Sequence, residues 1–229
     1  MGPNPMRDAG ALLARQYGSS PATGPAGDWR RGEWPTLVRV VLEQGRSQQK
    51  DRDWAWVAET ALRTAHDTAA LTPRGLADIL EAAGQPENKA AVLCELASWW
   101  QQKIPEADAL DAFRSRSLEH WQNDLRAIRG VNWDLADRIL LVVGGCTVYP
   151  LDRGSLRIAQ RHGWMDAAAE YHDWQAFYVS SVEDSGIRLE QLWRWNVRVG
   201  REFCGRNPDC ENCPLQTLLP ARGPLEGEE

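Results

Sequence analysis

The chain has 229 residues, of which 43% are hydrophobic, and this length allows one large domain or two small ones with a sizeable core. Its formal net charge of −6 argues mildly against a nonspecific nucleic-acid binder, which would normally be basic. No apolar run approaches the roughly 18 residues of a membrane span, the sequence opens without an apolar signal segment, and five cysteines suit a reducing compartment, so we expect a cytoplasmic protein.

The first half of the chain has the pattern of a series of short helices. Residues 1–10 are rich in Gly, Pro and Asn and are expected to fray, whereas Ala11–Gln16 favours a short helix. Trp34-Pro35 precedes the apolar run Leu37–Glu43, which fits a buried helix, although its β-branched residues also allow a strand. Further helices are predicted at Asp53–Thr64, from Pro73 to Ala83 after an N-cap at Thr72, and at Glu87–Gln102.

The most strongly patterned stretch is residues 128–158. A predicted helix, Ser117–Ile128, leads into the tight turn Gly130-Val131-Asn132, because both Gly130 and Asn132 tolerate positive φ. The apolar run Leu135–Val143 then predicts a helix. Unpaired N–H groups and the positive dipole end at its start would form a seat for a phosphate.

After this helix the sequence changes character. Gly144, Gly145 and Pro150 break the chain, and Asp152 stands at the cap position of a predicted helix, Arg153–His162. Two more helices are predicted at Ala167–Ser180 and Glu183–Arg201. We therefore expect an all-α protein of about ten helices, with short loops and no strand.

Charge is distributed unevenly along the sequence. Residues 126–161 contain six arginines against three aspartates, whereas the tail Gly223–Glu229 contains three glutamates. The acidic residues therefore lie partly away from the stretch with the phosphate seat, and a local basic surface is compatible with the overall negative charge.

The stretch 128–158 resembles the helix-hairpin-helix, Gly/Pro-loop and Asp signature of the endonuclease III superfamily of DNA glycosylases, and the resemblance extends from about Leu12 to Cys213. It implies that Gly130, Val131 and Asn132 grip a DNA phosphate, and that Asp152 is the catalytic carboxylate. Trp133 would stack on an exposed base or pack, and Arg153 and Arg157 follow the carboxylate on the DNA side. Gln44 matches the residue that fills the space of the flipped base, with Gln48 or Gln49 as the alternatives if the register slips.

One departure from this pattern concerns the chemistry. Members that also cut the DNA backbone place a Lys four residues after the first hairpin Gly, where this chain has Asp134. The only lysines are Lys50, Lys89 and Lys103, and Arg cannot serve as the amine nucleophile. We therefore predict little or no AP-lyase activity through the usual route, while Asp134 could be a second active-site carboxylate, a helix-start residue or a mark of lost activity.

The cysteine loop departs from the pattern as well. Cys204, Cys210 and Cys213 form Cys-x5-Cys-x2-Cys, a spacing that suits a soft metal or an iron–sulfur cluster. The family loop has four cysteines, and the fourth position here is Leu219. Three outcomes stay open: a 4Fe-4S cluster with three cysteines and one other ligand, a loop that has lost its cluster, or zinc or another metal.

The resemblance also implies an architecture and a function. Two helical lobes, residues 1–34 with 147–222 and residues 35–146, would hold double-stranded DNA in the cleft between them, with 223–229 as a disordered acidic tail. The protein would be a monomeric, monofunctional DNA N-glycosylase that removes a damaged or mismatched base. The alternative is a catalytically weak or inactive protein of the same fold that binds damaged or distorted DNA.

Overall fold

The computed structural model describes residues 4–18, 33–44, 57–82, 88–105, 109–183 and 185–225. Within these ranges all regular structure is helical and no strand occurs, which confirms the all-α prediction. The α-helices are α1 (Pro5–Tyr17), α2 (Trp34–Glu43), α3 (Ala65–Ala70), α4 (Pro73–Ala82), α5 (Asn88–Lys103), α6 (Ala109–Arg114), α7 (Leu118–Arg126), α8 (Trp133–Val142), α9 (Arg153–Arg161), α10 (Tyr171–Ser180) and α11 (Leu189–Glu202). Along the described part of the chain, none of these helices is both long and apolar enough to cross a membrane.

The chain divides into two compact units. Unit 1 combines residues 1–22 with 147–229, and unit 2 comprises residues 23–146. Unit 1 therefore contains α1, α9, α10, α11 and the cysteine loop, whereas unit 2 contains α2 to α8. The lobe boundaries drawn from the sequence, and the roles assigned to the two lobes, stay a prediction.

An aromatic cluster forms the core of unit 2. Trp99 and Trp100 of α5 pack against Phe113 and Trp121, with ring centroids 5.4–6.5 Å apart among these four residues. The indole N–H of Trp99 donates to Asp124 Oδ2 at 2.7 Å, and that of Trp121 donates to the Phe113 carbonyl at 2.9 Å. These tryptophans therefore supply large apolar faces to the core while their polar tips are hydrogen-bonded.

Unit 1 is built around the contact between α9 and α11. Gly154 and Gly200 face each other there, and a Cβ built on Gly200 would lie only 2.7 Å from the Gly154 Cα. The two backbones approach this closely because neither residue has a side chain. This contact fixes the start of α9, where Asp152 lies.

The N-terminal segment corrects an expectation. Helix α1 begins at Pro5, and Asn4 caps it by accepting from the Met6 N–H at 2.9 Å. The Asn4 amide also donates to the Phe177 carbonyl at 2.8 Å, which ties the segment to α10. The expectation that residues 1–10 fray is therefore wrong for residues 4–10, because an Asn cap followed by Pro starts a helix.

Several helix boundaries also differ from the predicted ones. Within the predicted helix Asp53–Thr64, residues 53–56 lie outside the described residues, Val57–Ala61 is a π-helical turn, and Thr64 caps α3. Helix α6 has no counterpart among the predicted elements. Helices α10 and α11 begin several residues later than predicted, because the residues before them form turns.

Candidate functional site

The predicted hairpin is the turn between α7 and α8 in unit 2. Gly130 has φ +90°, and the Val131 N–H donates to the Ile128 carbonyl at 3.1 Å. A Cβ built on Gly130 would lie 2.6 Å from Val92 Cγ2 of α5. Glycine is therefore required at position 130 both by its φ and by the closeness of α5.

Asn132 contributes to the hairpin in a different way from the one expected. Its φ is −91°, so it does not adopt the left-handed conformation that the sequence analysis allowed it. Its side-chain Oδ1 instead accepts from the Leu135 N–H at 2.9 Å and caps α8. The first turn of α8 thus begins directly after the hairpin, with the positive end of the helix dipole at the turn. This geometry suits an anion such as a DNA phosphate.

Asp134 lies in the first turn of α8, and its carboxylate is engaged. Its Oδ1 accepts from Arg138 Nε at 2.7 Å, one helical turn further on, and its Oδ2 accepts from Gln44 Nε2 at 3.1 Å. The Arg138 side chain is 8% exposed and that of Asp134 is 19% exposed, so the ion pair is largely shielded from solvent. Asp134 is therefore bound to a cation and an amide where the resemblance would place an amine.

The structure brings Gln44 to the hairpin. Gln44 is the C-cap residue of α2, and its amide nitrogen donates to Asp134 and, at 3.2 Å, to Asn132 Oδ1. The Lys89 ammonium of α5 donates to the carbonyls of Val41, Leu42 and Gln44 at 2.7, 2.6 and 2.8 Å. Lys89 thus caps the C-terminus of α2 and fixes the residue that contacts the hairpin. The alternatives Gln48 and Gln49 lie outside the described residues.

Trp133 is the exposed aromatic residue of the hairpin. The residue is 46% exposed, and the Arg126 guanidinium lies 3.3 Å from its ring centroid. Arg126 is itself held by the Gln122 carbonyl, at 3.1 Å, and by the Asn123 side chain at 2.5 Å. A flat exposed indole with a cation stacked on it is a surface suited to a nucleic-acid base or sugar.

The Gly/Pro loop leads to Asp152 in unit 1. The Asp152 Oδ1 accepts from the Gly154 N–H at 2.7 Å and from the Ser155 N–H at 2.9 Å, so Asp152 is the N-cap of α9. The Ser155 hydroxyl lies 3.5 Å from its other oxygen, Oδ2. The carboxylate is therefore held in one orientation at the positive end of a helix, where a negative charge is favourable.

The two arginines that follow Asp152 differ in their surroundings. Arg153 is exposed, as a DNA contact would require. The Arg157 Nε instead donates to the Cys204 carbonyl at 2.8 Å, and Arg157 Nη2 lies 3.4 Å from the Gly200 carbonyl. Arg157 thus connects α9 to the cysteine loop.

The cysteine loop places three thiols around one small cavity. Cys204, Cys210 and Cys213 line it together with Leu219, and its volume is about 10 Å³. Such a volume holds about one water molecule. Arg161 donates to the Cys204 sulfur at 3.3 Å and to the Gly205 carbonyl at 2.7 Å. Burial raises the pKa of the Cys213 thiol to about 11.

This arrangement does not fit a four-ligand cluster. A cubane cluster is normally held by four thiolates, whereas the fourth position here is the apolar side chain of Leu219. Within the described ranges, no group of three or more His, Cys, Asp and Glu side chains is placed so that it could hold a metal ion. The loop is instead connected to α9 by the contacts of Arg157 and Arg161.

Sequence reasoning did not single out Lys89, Arg138 or Arg126 as parts of the site. Arg138 and Arg126 carry a local signal, since they lie four residues after Asp134 and Gln122, one helical turn away. Lys89 has no such signal, because its acceptors lie 45 to 48 residues earlier in the chain.

No family model matches the sequence. Endonuclease III of Sulfolobus acidocaldarius is 30% identical over 95 residues, which are 40% of this chain and only 41% of that protein.

The solved structures extend the similarity to nearly the whole chain. A non-covalent endonuclease III–DNA complex superposes with a TM-score of 0.63 at 19% identity, covering 93% of both chains. A thermostable thymine-DNA glycosylase gives 0.63 at 14% identity, covering 93% of this chain and 94% of that one. The 3-methyladenine DNA glycosylase of H. pylori gives 0.60 at 17%, covering 83% and 92%. The chain therefore has the helical fold of endonuclease III and related DNA glycosylases, as the sequence resemblance predicted.

Proposed function

We propose that this chain is a monofunctional DNA N-glycosylase of base excision repair, which releases a damaged or mismatched base from duplex DNA and leaves the backbone uncut. The observation that carries the proposal is the Asp152 carboxylate, fixed at the start of α9 by two backbone N–H groups at 2.7 and 2.9 Å. The fold shared with DNA glycosylases and the phosphate-binding geometry of the hairpin support it.

The chemistry assigned to Asp152 follows from the reaction. A base inside a duplex must leave the stack before its glycosidic bond can be reached. The bond between C1′ and the base nitrogen then breaks, the base departs with the electron pair, and the sugar develops positive charge. A carboxylate beside C1′ stabilises that charge and accepts a proton from the water that attacks C1′, while the departed base takes up a proton from solvent, leaving an abasic site.

The hairpin would supply the grip on DNA. Gly130, Val131 and Asn132 would bind a phosphate through the start of α8, with Trp133 beside them as a stacking surface. Gln44, held against the hairpin, would fill the space that the extruded base leaves in the duplex. Arg153, which is exposed next to Asp152, would add a phosphate contact.

The surroundings of Asp134 support the absence of strand cleavage. Cutting the backbone needs an unprotonated amine that forms a Schiff base with the sugar. Asp134 offers a carboxylate bound by Arg138 and Gln44. Of the three lysines, Lys89 is bound to three carbonyls, Lys103 pairs with Asp124 at 3.5 Å, and Lys50 lies outside the described residues.

A base-release assay with a matched variant tests the proposal. Duplexes carrying uracil, thymine glycol, 8-oxoguanine opposite adenine, or an alkylated base are incubated with the wild type and with Asp152→Asn. Because Asn caps a helix about as well as Asp, this variant keeps the fold while removing the charge. Base release should fall by about 100-fold or more, while melting temperature and duplex affinity stay close to the wild type.

The same assay distinguishes a glycosylase from the alternative function, a protein that binds damaged DNA without releasing a base. If the wild type releases no base from any duplex but binds an abasic duplex tightly, the protein is a damage binder. Borohydride treatment during the reaction tests the lyase part separately. We expect no covalent protein–DNA adduct, and an adduct would show that another amine performs strand cleavage.

A further inference from the structure

A row of buried polar side chains leads from the interior of unit 1 to Asp152. The Asn196 amide nitrogen donates to the Tyr149 hydroxyl at 2.8 Å, that hydroxyl lies 2.9 Å from Ser155 Oγ, and Ser155 Oγ lies 3.5 Å from Asp152 Oδ2. Asn196, Tyr149 and Ser155 are each 0% exposed. We infer that these three residues form a hydrogen-bond relay that positions the Asp152 carboxylate for the proposed reaction.

The chemistry of the first residue gives the relay a direction. An amide nitrogen can only donate, so the Tyr149 hydroxyl accepts from Asn196, and in the relay it donates to Ser155 Oγ. Ser155 then accepts from Tyr149 and directs its hydrogen towards Asp152 Oδ2. Each hydroxyl thus presents a donor to the next acceptor, and the last acceptor is the carboxylate.

The relay and the helix cap act on different oxygens of the same carboxylate. Oδ1 accepts from the N–H groups of Gly154 and Ser155, whereas Oδ2 faces the Ser155 hydroxyl. The cap holds one oxygen at the start of α9, and the relay fixes the rotation that decides where the other one points. Donors to the ionised carboxylate also stabilise that form, which is the form that the proposed chemistry needs.

Tyr178 provides a built-in comparison. It is as deeply buried as Tyr149 and stacks on it with ring centroids 4.0 Å apart. Its hydroxyl, however, donates to the Ser155 backbone carbonyl at 2.7 Å and lies outside the relay. Removing either hydroxyl costs a buried hydrogen bond, but only the loss of the Tyr149 hydroxyl interrupts the relay.

The titratable groups around Asp152 come from three segments. Tyr149 precedes it in the loop, Tyr178 faces it from α10, and Cys204 of the cysteine loop interacts with Tyr178. Burial raises the pKa of Tyr178 well above its usual value, so this phenol stays neutral across the range where a carboxyl group titrates. On α9 the charged neighbours are Arg153, which is exposed, and Arg157, which donates to the Cys204 carbonyl.

A carboxyl titration tests the relay without relying on activity. The protein is labelled with 13C at the aspartate side-chain carboxyl, and the Asp152 resonance is assigned by its loss in Asp152→Asn. Its titration midpoint is then measured by NMR in the wild type, Tyr149→Phe, Ser155→Ala, the double variant and Tyr178→Phe. Thermal melts followed by circular dichroism report whether each variant is folded.

Three results are expected. Tyr149→Phe and Ser155→Ala each raise the midpoint by about half a pH unit or more, because the ionised form loses donor support. The double variant shows no further shift, since the two residues act in series. Tyr178→Phe leaves the midpoint at the wild-type value. An unchanged midpoint in Ser155→Ala, or equal shifts in Tyr149→Phe and Tyr178→Phe, would overturn the relay. If Tyr149→Phe does not fold, the Asp152 midpoint in Ser155→Ala is the deciding measurement.

The catalytic part of this inference rests on the proposed glycosylase function and has its own readout. With the duplex that the wild type cleaves fastest, single-turnover base release is measured against pH. The acidic limb should move upwards in Tyr149→Phe by the amount of the NMR shift, and not in Tyr178→Phe. If the wild type releases no base while the midpoints shift as expected, the proposed function fails and the relay stands.

Discussion

Replacing Lys89 by Met tests how α5 controls the hairpin. The substitution keeps most of the side-chain volume and removes an ammonium that donates to three carbonyls at 2.6–2.8 Å at the end of α2. Hydrogen bonds to charged groups contribute about 1.5–3 kcal/mol each when buried. Because Lys89 is only partly buried, water compensates for part of these hydrogen bonds, and we expect the free energy of unfolding to fall by about 2 kcal/mol in total. In a chain of this size that lowers the melting temperature by about 4–8 °C.

The functional consequence passes through Gln44. Its carbonyl accepts from Lys89 while its amide donates to Asn132 and Asp134, so loss of the cap releases the residue that contacts the hairpin. Fluorescence anisotropy with a duplex containing an abasic-site analogue should show affinity reduced by about tenfold, which corresponds to roughly 1.4 kcal/mol.

The matched control lies at the other end of the same helix. Lys103 pairs with Asp124 at 3.5 Å, and its side chain is 43% exposed, so Lys103→Met removes the same charge from α5 at a cost below about 1 kcal/mol. If the two variants melt and bind DNA alike, the Lys89 contacts do not fix Gln44 and the reasoning is refuted. Lys89→Arg should recover part of the affinity, since a guanidinium also donates to several carbonyls.

Three further predictions concern single residues. Gly130→Ala forces an unfavourable φ of +90° and places a Cβ 2.6 Å from Val92 Cγ2, so urea unfolding should show a loss of about 3 kcal/mol, part of which Val92→Ala restores. Gly200→Ala drives a Cβ into the backbone of Gly154 at 2.7 Å and should cost about 2 kcal/mol; a melting temperature equal to that of the wild type would mean that α9 and α11 separate freely. Burial lowers the pKa of His162, so the folded state should lose stability as the pH falls below the ordinary imidazole value of about 6.5, and His162→Gln should show a smaller loss between about pH 7 and 5 in thermal melts.

Local signals in the sequence predicted the parts of the site that depend on local structure. Glycine at 130 indicates a turn, and an aspartate before a helix predicts a cap, because both effects act within a few residues. The same rules fit Asn4 followed by Pro5, where the composition of residues 1–10 suggested fraying instead. In that case a specific cap outweighed the average composition.

The remaining parts depend on contacts between residues far apart in the chain. Lys89 donates to the carbonyl of Gln44, 45 residues earlier, and Asn196 donates to a tyrosine 47 residues before it. Neither contact leaves a spacing pattern, because spacing reports neighbours on one helix and not the packing of two helices. Only the folded chain shows that these residues support Gln44 and Asp152.

The ion pair with Arg138 changes how the negative charge of Asp134 is interpreted. From sequence alone, a carboxylate beside a phosphate seat is unfavourable, since it would repel the DNA backbone. Arg138, 8% exposed and 2.7 Å away, compensates that charge within one helical turn. A lysine at position 134 would instead be repelled by the Arg138 guanidinium at the same distance. Asp134→Lys alone should thus destabilise α8 without creating a lyase. The new ammonium would lie against the buried guanidinium of Arg138, and two donors would face each other where Arg138 now donates to the Asp134 carboxylate.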